Sequence, residues 1–320
     1  MKRFGAIVAA HIPHKTGERL KVAVLDTGID ITHPHFDGEG RLKTRRSWVT
    51  SAADADSCGH GTHILSTILR LTRNVDVYVA KISEGKTVTT TDPIAEVCFA
   101  RHHSSDGGWL TEIWWLSHQA IRVASEEWDV DFISMSFGFP QGYHAIHQEI
   151  EKAIYRGKTV FAAASNDGGN TDRAYPARQH GVICVHSTDG HGNPSLFNPT
   201  ALDRKNNFCV VGENIKAGWP SPDPNKLGGT KYLSGTSFAT PVAIAIAAFM
   251  VGLVCKSKPE HKNWMVPLKS TMGIEAIFQV MSERRNGKYD VVNPVKAFGG
   301  NSELEGQKLL LDIQKRLEWG

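Results

Sequence analysis

The chain has 320 residues, of which 41% are hydrophobic, so it is long enough to bury a substantial core as one large domain or two small ones. Its formal net charge is +3, from 36 basic and 33 acidic residues. This near balance argues against nucleic acid and anionic membranes as partners, because both recruit strongly basic surfaces.

The cysteines and the apolar runs indicate the cellular compartment of the protein. The number of cysteines is odd and their spacings are wide: Cys58, Cys98, Cys184, Cys209 and Cys255. A disulfide framework is therefore not expected, and reduced thiols predict an intracellular, cytoplasmic protein. The apolar residues 5–10 are too few for a secretory signal. The longest apolar run, 242–255, is too short to span a bilayer and predicts a buried helix.

Short apolar runs alternate with helical patterns along the chain. Buried strands are predicted at 21–25, 75–82, 130–135, 159–164, 181–186 and 207–211. Helices are predicted at 63–71, 121–128, 146–155 and 241–254. This alternation, with strands that are apolar throughout, predicts an α/β fold with a mostly parallel central sheet and helices on both faces.

Beyond residue 258 the composition becomes more polar, and amphipathic helices are predicted at 273–284 and 303–317. We predict an N-terminal extension at 1–19, a main domain at 20–258 and a C-terminal helical extension at 259–320. The extension either packs on the main domain or leads toward further domains of a longer chain. The Gly- and Pro-rich stretch 219–229 is predicted to be a surface loop.

The first segment with catalytic chemistry is VAVLDTGID, in which Asp26 ends a predicted buried strand. Sites in open α/β sheets form at the carboxyl ends of strands. Taken alone, the segment could equally hold an ordinary turn aspartate. An aspartic protease would need a second carboxylate to share a proton, and no second Asp-[Ser/Thr]-Gly occurs.

The second segment is GHGTH, in which two glycines bracket His60 and allow a tight turn into a helix. His60 and His63 could in principle bind a metal ion. They lack the HExxH arrangement and a third ligand, so we predict no metal site and no cofactor. His63 is predicted to be structural.

The third segment is SGTSFATP, in which Ser237 precedes Pro241 and a long apolar helix. We place Pro241 in the first helical turn, where proline is tolerated. A serine at a helix N-terminus meets unpaired N–H groups and the positive end of the dipole, a setting that suits a developing oxyanion. Taken alone, an N-cap serine is the simpler interpretation.

Together, and in this order, the three segments resemble the active-site signatures of the subtilisin-like (S8) serine peptidases. The resemblance spans residues 20–255 and is closest to intracellular fungal subtilase domains. DFISMSFG at 131–138 resembles the strand that lines the substrate cleft, and VFAAASNDG at 160–168 resembles the segment of the oxyanion asparagine. AYPA at 174–177 resembles the turn near the specificity pocket. A three-layer subtilisin-like fold is implied.

The resemblance implies a serine endopeptidase with a triad of Asp26, His60 and Ser237 and an acyl-enzyme intermediate. The Asn166 side-chain amide and the Ser237 backbone N–H would form the oxyanion hole. An extended polypeptide substrate would pair as an added strand beside Ser136, Phe137, Gly138, Ala163, Ala164 and Ser165. Ser165 and Phe139 stand where the family often has glycine, which leaves the side-chain preference open.

Three features depart from the family. The helix at 63–71 runs straight into the strand at 75–82, so we predict that the calcium-binding loop of many relatives is missing. Cys58 is either a reactive thiol near the site or a small, partly buried cysteine. Residues 97–118 interrupt a family-like run and are either a partner-binding or lid-like loop or a retained intron, which transcripts that span Glu96 to Gln119 would decide.

Two other functions stay open. One is a catalytically silent or regulated module within a larger intracellular protein, and the other is a hydrolase of small esters or amides on the same triad. The intact triad argues against the first, and the long peptide cleft argues against the second.

Overall fold

A large β-sheet forms the centre of the fold. The structure, a computed structural model, describes residues 19–36, 40–85, 108–203, 205–223, 225–257, 265–286, 288–297, 311–313 and 315–316. Its strands are β1 (Leu20–Asp26), β2 (Leu42–Ser47), β3 (Val75–Lys81), β4 (Phe132–Met135), β5 (Thr159–Ala163), β6 (Val182–Thr188), β7 (Phe208–Val211), β8 (Ile215–Trp219), β9 (Gly229–Leu233), β10 (Ser282–Arg285) and β11 (Tyr289–Val292).

Nine of these strands form one sheet, in the order β10-β11-β7-β6-β5-β4-β1-β3-β2. Every neighbouring pair is parallel except β10 and β11, which form an antiparallel hairpin. β8 and β9 form a separate antiparallel pair. The prediction of a mostly parallel central sheet is confirmed.

Helices cover both faces of this sheet. They are α1 (His60–Leu71), α2 (Gly108–Arg122), α3 (His144–Tyr155), α4 (Thr236–Ser257), α5 (Met265–Lys269), α6 (Thr271–Met281) and α7 (Pro294–Ala297). A π-helical turn, Val123–Glu127, continues α2.

The core is divided into two clusters by the sheet. Val22 and Val24 of β1 lie in the cluster that contains α1, α4 and α6. Ala23 and Leu25 lie in the cluster that contains α2 and α3. Because side chains alternate across a strand, a strand between two helix layers is buried on both faces and reads as a continuous apolar run. The predicted three-layer α/β fold is confirmed.

The central helix α4 is longer than predicted. Its segment Thr236–Leu253 is long and apolar enough to cross a membrane, but 94% of it is buried inside the fold. It is therefore a core helix because it is buried, and not because it is too short to cross a membrane. Pro241 lies inside α4 and not in its first turn, so our placement was wrong. Since proline has no N–H, the Ser237 carbonyl receives no helical hydrogen bond from residue 241.

The chain after residue 258 contributes to the same core. The buried Phe278 ring of α6 lies 5.3 Å from the Phe208 ring and 6.5 Å from the Phe161 ring. β11 pairs in parallel with β7, so the β10–β11 hairpin extends the sheet. The boundaries at 19 and 258 stay predictions.

The predicted helix 273–284 is wrong at its C-terminal end, because α6 ends at Met281 and β10 follows directly. Asn286 adopts a φ of 49° in the turn between β10 and β11, a conformation that asparagine tolerates and that closes the hairpin. The predicted helix 303–317 lies largely outside the described residues.

The insert predicted at 97–118 is described only from residue 108 onward, where it forms the start of α2. Within it Leu116 packs against the core and Ser117 is buried. Whether these residues are a true insert stays a prediction. Strands β2, β8, β9 and β11 were not predicted. The predicted loop 219–229 connects β8 to β9, although its first and last residues belong to these strands.

Candidate active site

Asp26 and His60 are brought into direct contact. Asp26 ends β1 at its carboxyl edge, and His60 begins α1. Asp26 Oδ1 lies 2.7 Å from His60 Nδ1, and their side chains are 1% and 0% exposed. A carboxylate can only accept hydrogen bonds, so Nδ1 carries the proton and Nε2 is the basic nitrogen of the neutral ring. The Thr27 N–H also donates to Asp26 Oδ1, at 2.8 Å.

The two glycines beside His60 allow close contacts that no other residue would permit. Gly59 has a φ of 87°, and a Cβ placed on it would lie 2.8 Å from the Trp219 ring and 2.9 Å from Pro220. A Cβ on Gly61 would lie 2.2 Å from the Gly28 carbonyl oxygen. The first turn of α1 is therefore pressed against the loop that follows Asp26.

Ser237 lies in the first turn of α4 and is 6% exposed. The next residue, Phe238, places its ring centroid 5.3 Å from that of His60 and 4.8 Å from that of His63. The start of α4 therefore packs against the start of α1. The three sequence segments, which are far apart in the chain, meet at one place in the fold.

Asn166 is bound to the residue before Ser237. Its Oδ1 accepts hydrogen bonds from the Thr236 N–H at 2.8 Å and from the Thr236 hydroxyl at 3.1 Å. These bonds fix the orientation of the amide and leave Nδ2 as its donor end. A Cβ on Gly235 would lie 3.2 Å from Asn166 Nδ2, so glycine keeps this approach open.

The six residues predicted to bind substrate end two neighbouring strands. Met135 of β4 pairs with Ala162 of β5, and this is the last pair between the two strands. The two predicted segments continue from here: Ser136, Phe137 and Gly138 after β4, and Ala163, Ala164 and Ser165 at the end of β5 and beyond it. The Phe137 ring is buried against Phe139, so only the backbone of Phe137 could line a cleft.

Ala174 closes the gap between these two segments. Its N–H donates to the Ala164 carbonyl at 2.7 Å, and a Cβ on Gly138 would lie 2.5 Å from the Ala174 methyl. Ser165 has a φ of 145°, in the region that favours glycine, and its hydroxyl donates to Asp167 at 2.7 Å. Space beside Gly138 is therefore limited by Ala174.

His63 contacts backbone carbonyl oxygens, as expected for a histidine with a structural role. Its Nε2 lies 3.0 Å from the Ile215 carbonyl oxygen and 3.3 Å from that of Lys231, which links α1 to the β8–β9 hairpin. Burial lowers the pKa of His63 to about 3. Among the described residues, no group of three or more His, Cys, Asp or Glu side chains could hold a metal ion.

Cys58 is a poor candidate for a reactive thiol. It is 3% exposed, and a Cβ on Gly85 would lie 2.6 Å from its Sγ. Burial, with a smaller contribution from the charge of Asp56, raises the pKa of Cys58 to about 12. The thiol is therefore protonated at neutral pH, which favours the alternative of a buried, unreactive cysteine.

Two residues at this site were not singled out from the sequence. Trp219 packs over Gly59 beside His60, and Asp56 accepts hydrogen bonds from residues on both sides of His60. The sequence did contain a signal for Asp56 that we did not use, because this carboxylate stands four residues before a histidine with a glycine on each side. No local signal identified Trp219, because its contact is made across the fold.

Comparison with known proteins gives a consistent result. The subtilase family model matches residues 17–280. Subtilisin BL from Lederbergia lenta is 31% identical over 265 residues, which cover 80% of this chain and 83% of that relative. M-protease from Shouchella clausii (strain KSM-K16) is 31% identical over 261 residues, which cover 80% of this chain but 59% of that relative. This chain thus matches less than two thirds of the length of M-protease.

A solved structure of the prenylagaramide maturation protease PagA is similar over the whole fold. The match has a TM-score of 0.65 and 20% sequence identity, and it covers 98% of each chain. At this identity the likeness concerns the fold alone.

Proposed function

The chain belongs to the subtilase family, and from this premise we propose that it is a serine endopeptidase that cleaves extended polypeptides. The observation that carries the proposal is the buried Asp26–His60 hydrogen bond, which lies close to the first turn of α4, the turn that contains Ser237. A serine hydroxyl is a weak nucleophile without an adjacent base, and His60 is the base that we propose for Ser237.

In the proposed reaction, Ser237 Oγ attacks the scissile carbonyl carbon while His60 Nε2 takes the hydroxyl proton. The C–N bond then breaks, and His60 gives the proton to the departing amine. A water molecule, deprotonated by His60, hydrolyses the resulting ester and restores Ser237. Asp26 remains ionised throughout and stabilises the imidazolium that forms twice in this cycle.

The oxyanion of each tetrahedral intermediate is stabilised by the Asn166 Nδ2 donor and the backbone N–H of Ser237. The support for Asn166 is its fixed orientation on Thr236, which costs no reorganisation during the reaction. Substrate backbone pairs with 136–138 and 163–165, and this explains why an extended peptide is the expected substrate.

Labelling with a fluorophosphonate probe tests the proposal. We expect the native chain to be labelled and the Ser237→Ala variant, shown to be folded by circular dichroism, to remain unlabelled. Heat-unfolded native chain is the control for nonspecific reaction. A folded native chain that neither reacts with the probe nor cleaves a mixed peptide library would contradict the proposal.

One observation favours the alternative of a regulated module. His60 is fully buried and Ser237 is 6% exposed, with Trp219 packed against the neighbouring Gly59. A Trp219→Ala variant separates the two functions. If the probe labels only the Trp219→Ala variant, the native protein is a module held in a closed state. Equal labelling of the native protein and the variant favours an open peptidase.

We also propose a cytoplasmic location. The support is that Cys184 and Cys209 are buried free cysteines. Fractionation of cells that express the tagged full-length protein tests this, and recovery from the culture medium or the secretory pathway would contradict it.

A further inference from the structure

Asp56 is a buried carboxylate saturated with hydrogen bonds. It lies in the loop before α1 and is 4% exposed. Oδ1 accepts from the Thr27 hydroxyl and from the Gly59 N–H, both at 2.8 Å. Oδ2 accepts from the Thr62 N–H at 2.8 Å and from the Thr62 hydroxyl at 2.7 Å. Both oxygens therefore act as acceptors.

The two hydroxyl donors are themselves fixed. The Thr27 hydroxyl accepts from the Gly61 N–H at 2.9 Å, and the Thr62 hydroxyl accepts from the Asp30 N–H at 2.8 Å. Neither hydroxyl can turn around without losing a bond. Burial raises the pKa of Asp56, but the bonds that it accepts oppose this shift.

This network connects the two halves of the Asp26–His60 pair. Thr27 follows Asp26 and donates its N–H to the same Oδ1 that meets His60. Gly59 and Gly61 stand on either side of His60, and both are bound within the network. One carboxylate thus links the end of β1 to the start of α1.

We propose that Asp56 is a positioning residue, which holds Asp26 and His60 in hydrogen-bonding geometry. This role rests on the proposed peptidase function. Asp56 does not touch the reacting atoms and acts only through Thr27, Gly59 and Thr62. Small errors in the placement of a base are costly, because a displacement of about 1 Å can reduce the rate about 10²-fold.

The Asp56→Asn variant keeps the shape and replaces one acceptor oxygen with an N–H₂ group. Whichever way the amide turns, that group faces two donors. We expect kcat to fall about 10- to 100-fold with KM changed less than about twofold. We also expect the proton NMR resonance of His60 Nδ1–H to shift or broaden. Asp189→Asn is the matched control, because Asp189 is a turn carboxylate outside this network that also accepts bonds from its neighbours, His191 and Asn193.

A second pair of variants covers the case in which Asp56→Asn does not fold. Thr27→Val removes the hydroxyl at nearly constant shape, and Thr27→Ser keeps it. We expect the valine variant to lower kcat and disturb the same resonance, and the serine variant to recover most of both. If the Thr27 hydroxyl had only a structural role, both Thr27 variants would lose thermal stability, and kcat would not fall selectively while KM stayed nearly constant.

The outcomes are distinguishable from failure of the proposed function. Folded Asp56→Asn or Thr27→Val with native kcat and an unchanged Nδ1–H resonance overturns the positioning role while the peptidase proposal stands. If the native chain cleaves nothing, the peptidase proposal fails, and the resonance alone then decides whether Asp56 positions the pair.

Discussion

At the residue scale, the two ends of the Asn166 amide have different surroundings, and this makes its role measurable. Replacement by alanine removes the Nδ2 donor, so we expect kcat to fall about 10²–10³-fold with little change in KM, the range that a subtilisin asparagine itself exemplifies. Steady-state kinetics on a fluorogenic peptide measures both constants. A rise in KM with unchanged kcat would instead assign Asn166 to substrate binding.

The Ala174 methyl limits the space between the two proposed substrate-binding segments. We expect the native enzyme to prefer small side chains at the position that inserts beside Gly138. Ala174→Gly should raise kcat/KM for peptides with leucine or phenylalanine there by about tenfold, since removal of one methyl relieves a contact worth about 1–3 kcal/mol. A peptide library compares the two enzymes. Equal cleavage after large residues by both would show that Ala174 does not limit the pocket.

The buried Cys58 thiol should be inert. Because its pKa is raised to about 12, almost none is present as the reactive thiolate at pH 7. We expect iodoacetamide to leave Cys58 unmodified in the folded protein and to modify it after denaturation, as read by peptide mass spectrometry. Rapid alkylation of Cys58 in the native state would show that the Gly85 segment opens.

Much of the candidate site could be predicted from the sequence, because each of its segments is local. Asp26, His60 and Ser237 each stand in a short motif whose turn chemistry is visible in the chain. The resemblance placed Ala174 near the specificity pocket, but its contact with Gly138 could not be predicted, and neither could the contribution of Trp219, because such contacts form only in the tertiary fold.

At the element scale, α6 joins the C-terminal segment to the central sheet. The buried Phe278 ring packs on the rings of Phe161 and Phe208. We expect Phe278→Ala to reduce the free energy of unfolding by about 3–5 kcal/mol, since the cavity lies in a rigid core. Urea denaturation measures this. The exposed Met272 of the same helix, changed to alanine, is the control and should cost less than about 0.5 kcal/mol.

The strands between helix layers were predictable, and those at the edges were not. β1, β4, β5, β6 and β7 are mainly apolar, because both of their faces are covered, and β3 alternates apolar residues with Asp76 and Tyr78 in its first half. The edge strand β2, with the sequence LKTRRS, exposes charged residues and lacks this signal. The β10 strand was assigned to a helix because hydrophobic periodicity extended to Met281, although Asn286-Gly287 is a hairpin signal that we did not use.

At the scale of the whole molecule, buried histidines link stability to pH. Burial lowers the pKa of His63 and of His186 to about 3, well below the ordinary value near 6.5. The unfolded chain therefore binds more protons between these values. The stability contributed by each neutral ring is complete above about pH 6.5 and is lost as the pH falls toward 3, by about 1.4 kcal/mol per pH unit for each histidine.

The His186→Phe variant tests this linkage. His186 packs against the Tyr289 ring, and phenylalanine keeps an aromatic ring in its place. We expect the slope of unfolding free energy against pH, measured by urea denaturation between pH 5.5 and 4.5, to decrease by about 1.4 kcal/mol per unit. A slope equal to that of the native protein would indicate that His186 is protonated in the folded state or titrates normally.

The two edge strands of the nine-stranded sheet both carry charged residues. β2 presents Lys43, Arg45 and Arg46, and the short strand β10 presents Arg284 and Arg285. An edge strand offers unpaired N–H and C=O groups to any other extended chain, and a strand added here would have to strip water from these charged side chains. The charges on both edge strands therefore disfavour the ordered addition of strands from other molecules. A change of these residues to threonine or valine should lower the concentration at which the protein forms fibrils.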